Sequence, residues 1–112
     1  MNGLIELGNL YFPDSQVRWP ESWWSLENEA NFQLRFQELL HSELSSQHPL
    51  WGLKPVVLAK NMDELIVHLS DGNFAVVHII GSGKVDQFPE KYPSTYFFKS
   101  LDELQSYLDD EA

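Results

Sequence analysis

The sequence predicts an α+β fold: an antiparallel sheet of three to five strands, built as a β-meander and packed with one long helix and one short C-terminal helix. Three observations carry that reading. In the stretch 64–80, ELIVHLSDGNFAVVHII, two β-branched apolar runs flank Asp71-Gly72, the strongest short-range hairpin signal. Residues 25–47 carry apolar side chains at three- and four-residue steps, the period of one helix face. Ser100-Leu101-Asp102-Glu103 spells a capping box ahead of a final apolar-periodic run. A chain of 112 residues fits a single domain spanning 1–112, and 43% hydrophobic residues suffice for one core.

The elements follow in order. Residues 1–22 hold apolar Leu4, Ile5, Leu7, Leu10, Tyr11 and Phe12, interrupted by Gly3, Gly8 and Pro13, which leaves room for one or two short strands. Trp19 is extended, because the ring of Pro20 disfavours the helical region before it. The long helix, 25–47, lines up Phe32, Phe36, Leu39, Leu40 and Leu44 as its apolar stripe. Ser22 or Ser25 caps its start, Glu27 and Glu29 suit its positive end, and Pro49 stops it. Arg35, Glu38 and Glu43 fall on the solvated flank.

Residues 54–60 read as a strand with Pro55 at its beginning, 61–63 as a turn, and 64–69 and 74–80 as the hairpin strands. A loop at 81–92 leads to a strand at 94–98. A helix over 100–108 then places Leu101, Leu104 and Leu108 on one face. Asp109, Asp110 and Glu111 follow as an acidic tail, set against the helix dipole and expected to fray.

A two-residue turn at Asp71-Gly72 pairs Leu69 with Phe74, Val67 with Val76 and Leu65 with His78. It pairs His68 with Ala75 and Ile66 with Val77. His68 and His78 then point to opposite faces and cannot share a metal ion, unless a bulge shifts one strand. Both faces are apolar, so both must be covered. The expected arrangement puts the two helices on one face and the tryptophan-rich N-terminal segment on the other; a homodimer is the alternative to a monomer.

Seventeen acidic against seven basic residues give a formal charge of −10. Such a surface repels phosphate backbones and argues against nucleic-acid binding. It serves solubility, or it docks a basic partner. Without cysteine there are no disulfides and no thiolate metal sites. No secretory signal and no membrane-length apolar run is visible, so a cytoplasmic protein without membrane attachment, metal or cofactor is expected.

Gly81-Ser82-Gly83-Lys84 resembles the end of a phosphate loop, but His78 stands where the first glycine belongs and Val85 where Ser or Thr belongs. It reads as a turn. His41-Ser42-Glu43 matches the His-x-Glu of zinc deaminases without their cysteines and reads as helix surface. His78 is the one candidate catalytic residue; it and His68 equally suit hydrogen-bonded core positions. Trp19, Trp23, Trp24 and Trp51 bracket the long helix. Tryptophan serves cores and interface anchors alike. Trp23, Trp24 and Trp51 are the candidate partner-binding residues, with one of the adjacent pair more exposed than the other.

The run 51–101 resembles a small uncharacterised bacterial family. The resemblance rests on Leu69-Ser70-Asp71-Gly72, on Ala75-Val76-Val77-His78-Ile79, on Ser82-Gly83-Lys84, and on Pro93 through Phe97 before the last helix. Ile80 and Gly81 stand where the family pattern has Thr-Trp. The resemblance implies a bacterial protein and no particular activity. Two function classes follow from the residues. One is a non-enzymatic binding or regulatory protein, of the immunity or inhibitor kind, for a basic partner. The alternative is a small enzyme or ligand-binding domain using His78, Lys84 and the 81–94 loop.

Overall fold

The computed structural model describes residues 17–111. Five antiparallel strands lie side by side in chain order: β1 (Trp24–Ser25), β2 (Val56–Lys60), β3 (Glu64–His68), β4 (Phe74–His78) and β5 (Ser94–Phe98). The helices are α1 (Ala30–Glu43) and the shorter α2 (Leu101–Glu111), with a 3₁₀ turn at Trp51–Leu53. The α+β meander is therefore as predicted. Strands expected within 1–16 lie outside the described residues.

The hairpin register differs from expectation by one residue. Glu64 faces His78, Ile66 faces Val76, and His68 faces Phe74. The Leu69 N–H donates to the Asn73 carbonyl at 2.9 Å and the Gly72 N–H to the Leu69 carbonyl at 2.9 Å, with Gly72 at φ 88°. This is a three-residue loop closed by a left-handed glycine, not a two-residue turn. The Asp71 carboxylate accepts the Asn73 N–H at 2.9 Å. That local bond favours an Asx turn over the positive φ that a two-residue turn would demand of Asp71. A one-residue slip exchanges faces in one strand relative to its partner. His68 and His78 thus share a face. Four residues of strand, about 13 Å, separate them, and it is this distance that keeps them from sharing an ion.

The helices do not share a face. Leu40 and Leu44 pack with Val57, Leu65, Val67, Ala75 and Val77 on one side. Leu104 and Leu108 pack with Ile66, Phe74, Val76 and Phe98 on the other, joined by Val17 and Trp23. Each apolar face receives one helix, so the sheet is covered on both sides within one chain.

Helix α1 is shorter than the predicted 25–47. Trp24 and Ser25 are taken into the sheet opposite Lys60 and Ala59. Asn28 turns the chain at φ 65°, and Leu44 leaves the helix in an extended conformation. The buried stripe of α1 is Gln33, Gln37, Leu40 and Glu43, while Phe32 lies exposed. Hydropathy placed the phenylalanines inward; the glutamines win because the edge of β2 offers them backbone partners. Gln37 Nε2 donates to the Pro55 carbonyl at 2.7 Å, and its Oε1 accepts the Val57 N–H at 3.0 Å. Gln33 Nε2 donates to the Val57 carbonyl at 3.3 Å. Each amide stands in for a strand's peptide group.

Helix α2 starts at its capping box, with the reciprocal bond made to the residue before the cap. The Glu103 N–H donates to Ser100 Oγ at 3.1 Å, and the Lys99 N–H donates to Glu103 Oε1 at 3.2 Å. It runs on through the acidic residues instead of ending at Leu108. Gln105 Nε2 donates to Asp109 at 2.9 Å, and Arg18 lies 3.5 Å from the same carboxylate. These partners offset the unfavourable end of the dipole at Asp109.

Candidate functional site

The expected tryptophan cluster is dispersed. Trp23 is a core residue, 5% exposed and packed 6.5 Å from Trp19, so it cannot anchor a partner. Trp24 is 47% exposed, which fits the expected asymmetry of the pair. The cause is strand alternation at β1 rather than helical offset. Its ring meets Phe32 at 5.3 Å and lies under Lys60 Nζ at 5.6 Å. Lys60 also covers Phe36, and Arg35 covers Phe32. Trp51 stacks on His41 at 5.9 Å. Phe32 and His41 are nine residues apart on α1, about 13 Å along the axis, so the two exposed tryptophans occupy opposite ends of the helix.

His78 lies at the exposed end of β4, opposite Ser94 on one side and Glu64 on the other. Its Nδ1 is 4.0 Å from the Asp63 carboxylate, both groups more than half exposed, a pairing that water largely screens. Lys84 is exposed on the loop. A cleft of about 600 Å³ beside Trp24, Lys60 and Met62 is not lined by His78 or Lys84. His68, half-buried and 4.9 Å from Phe74, is held below the ordinary imidazole range by burial, with the Asp71 carboxylate acting in the opposite direction. Among the described residues, no three His or carboxylate side chains gather to hold a metal ion.

The phosphate-loop likeness has a physical counterpart. Glu43, expected on the solvated flank, is 1% exposed. Its Oε1 accepts the Ile80 N–H at 3.0 Å, and its Oε2 accepts the N–H groups of Gly81 at 2.8 Å and Gly83 at 3.4 Å. The loop does form an anion-holding set of amides, and the anion is the chain's own carboxylate. A second tether is His48, which the sequence reading passed over. Its Nδ1 accepts the Leu50 N–H at 3.0 Å, so Nε2 carries the hydrogen and donates to the Pro93 carbonyl at 2.7 Å. Glu43 and His48 fix the two ends of the 81–94 loop, and with them the start of β5.

Among the described residues, strand β5 pairs on one side only, with β4. The Leu69–Asn73 bond and the Ile79 N–H to the Asp63 carbonyl at 3.1 Å put the odd residues of β3 and β4 face to face. Even residues of β4 therefore exchange bonds with β5, through Phe74–Phe98, Val76–Tyr96 and His78–Ser94. Thr95 and Phe97 direct their N–H and C=O groups away from the sheet. Tyr96 is 63% and Phe97 40% exposed, on opposite faces of the strand.

On the α2 face a row of rings, Tyr96 to Phe98 at 5.2 Å and Phe98 to Tyr107 at 5.1 Å, floors a cleft of about 660 Å³. Its α2 wall carries Asp102, Ser106 and Asp110 at four-residue steps. Neither His78 nor Lys84 lines it.

No protein-family model, no curated protein and no solved structure matches this chain. Among the described residues no helix is long and apolar enough to cross a membrane. Among the described residues one surface stands out: an edge strand with two outward peptide groups and exposed aromatic side chains, beside an aromatic cleft rimmed by carboxylates.

Proposed function

We propose that this chain is a non-enzymatic binding protein that takes up an extended segment of a partner protein along the open side of β5. The observation that supports this most is an edge that none of the described residues covers. Soluble proteins blunt long edge strands with charge, proline, bulges or a covering element. Ser94–Phe98, STYFF, carries no charge and no proline. Added strands gain affinity from main-chain hydrogen bonds and specificity from side chains on alternate faces. Thr95 and Phe97 supply the first, and Tyr96 and Phe97 the second. Trp24 and Trp51 are weaker anchors than the sequence suggests, because Lys60 and His41 already cover their rings. The bacterial setting and cytoplasmic location belong to the same proposal. The enzymatic alternative draws less support, since the loop amides are engaged by Glu43 and neither cleft described above is lined by His78 or Lys84.

Affinity capture from cells that make the protein tests this, with wild type, Phe97→Pro and Phe97→Val as baits. Proline removes the outward N–H without disturbing pairing to β4; valine keeps the N–H and changes the side chain. The expected result is a partner held by wild type and Phe97→Val and lost with Phe97→Pro. A partner held equally by Phe97→Pro overturns the proposal. So does an empty capture by a monomeric wild type. Self-association in sedimentation, abolished by Phe97→Pro, would replace the foreign strand with a second copy.

A further inference from the structure

We infer that the cleft between β5 and α2 receives an arginine side chain from the partner segment that lies along β5; this rests on the proposed strand uptake and specifies the partner's chemistry. Three features converge. The first is shape and lining: Phe98 is buried as a floor, with Tyr96 on the strand side and Tyr107 on the helix side. A planar guanidinium stacks on such rings, and its weak hydration makes it the cation that loses least on entering an aromatic site.

The second is charge. Asp102 and Asp110 line the helix wall and make no hydrogen bond or ion pair among the described residues. Asp109 is already matched by Arg18 and Gln105, and Glu103 is committed to the helix cap. Asp110 also lies in the last turn of α2, where the helix dipole disfavours a carboxylate, and an incoming cation relieves that conflict. The third is position. Tyr96 lies next to Phe97, whose peptide groups face the open side. A strand added there places alternate side chains on the α2 face, within reach of the cleft. The overall charge of −10 favours the approach of the same kind of partner.

The test uses capped arginine, N-acetyl-arginine amide, with capped norleucine and capped glutamate as controls, in an NMR titration of the full chain. Capped arginine is expected to shift resonances of Tyr96, Phe98, Ser106 and Tyr107 with millimolar affinity, weakening as salt is added. The paired substitution Asp102→Asn and Asp110→Asn is expected to weaken it about fivefold. Both positions are exposed, and the change at 110 removes charge from the unfavourable end of the helix, so the fold is retained. No shift at these residues, or equal shifts with capped norleucine, overturns the inference. Phe97→Pro is expected to leave this titration unchanged while abolishing partner capture. Arginine binding that survives a failed capture would sink strand uptake alone. Capture that ignores the paired aspartate change would sink the arginine site alone.

Discussion

The two edges of the sheet end differently. At the β1 side the edge strand is only two residues long, and the strand-free flank of β2 is closed by buried side chains: Gln37 and Gln33 engage the peptide groups of Pro55 and Val57. The aromatic rings nearby, Trp24, Phe32 and Phe36, lie under the chain's own Lys60 and Arg35. At the β5 side a five-residue strand leaves Thr95 and Phe97 facing outward, and the adjacent rings are rimmed by carboxylates rather than covered by cations of the β1 kind. Unpaired edges invite association, and this chain closes one of them with buried polar side chains. A glutamine buried only to satisfy a strand edge is a specific arrangement. Among the described residues the β5 edge stays open and carries solvent-facing aromatics, and it is there that we propose a partner docks.

One substitution made at both edges separates them most. Val57 and Phe97 both point their N–H away from the sheet centre, but the Val57 N–H is bonded to Gln37 in the core. Val57→Pro is expected to cost about 3–5 kcal/mol, leaving Gln37 Oε1 buried without its donor. Phe97→Pro is expected to cost no more than about 1 kcal/mol. Urea unfolding of both variants checks this; equal losses would mean that the β5 edge is bonded as the β1 edge is. Gln37→Leu asks the same question from the helix. It keeps volume and removes two hydrogen bonds, for an expected loss of about 2–4 kcal/mol by the same measurement.

Glu43→Ala addresses what holds the open edge in place. It strips the acceptor from three loop amides, and because the loop is solvent-exposed, water takes over part of their bonding. About 2 kcal/mol is expected, together with faster amide exchange at Ile80, Gly81 and Gly83 than in β3. The smallest effect is that of His68. Its folded value lies below the ordinary 6.5, so the unfolded chain takes up the proton first on acidification. The stability it contributes is complete above about 6.5 and is lost as pH falls from there through the folded value. His68→Gln should flatten the pH dependence of stability between neutrality and mild acid, measured by thermal melts.

Parts of the candidate site were legible as elements. The strand at Ser94–Phe98 and the Ser100–Glu103 capping box follow from local chemistry, and both are present. The cleft between them was not legible. It depends on β5 lying at the sheet margin and on α2 choosing the face that Tyr96 and Phe98 share. Glu43 was hidden for a related reason. A glutamate in a helix reads as solvated flank unless its partners are known, and these lie 37 to 40 residues away. One signal was available: Gln33, Gln37, Leu40 and Glu43 recur at helical steps, a stripe that hydropathy alone discards in favour of Phe32 and Phe36.

By itself the sequence determined the elements whose causes are local. The apolar runs of β3 and β4, the presence of a turn between them, the strand before α2 and the cap that starts it all arise from interactions spanning a few residues. Only the tertiary structure decided how those elements face one another. The hairpin register is the exception: the local bond from the Asn73 N–H to Asp71 favours the three-residue turn, and that register sets which histidines, valines and aromatics share a face. Each face of the sheet then took one helix, because both are apolar and each must lose its water. Burial rewards an apolar surface wherever it finds cover, whereas buried glutamine and glutamate are stable only where backbone groups from distant segments meet them. Those meetings close one edge of the sheet, anchor the loop before the other, and are properties of the assembled fold.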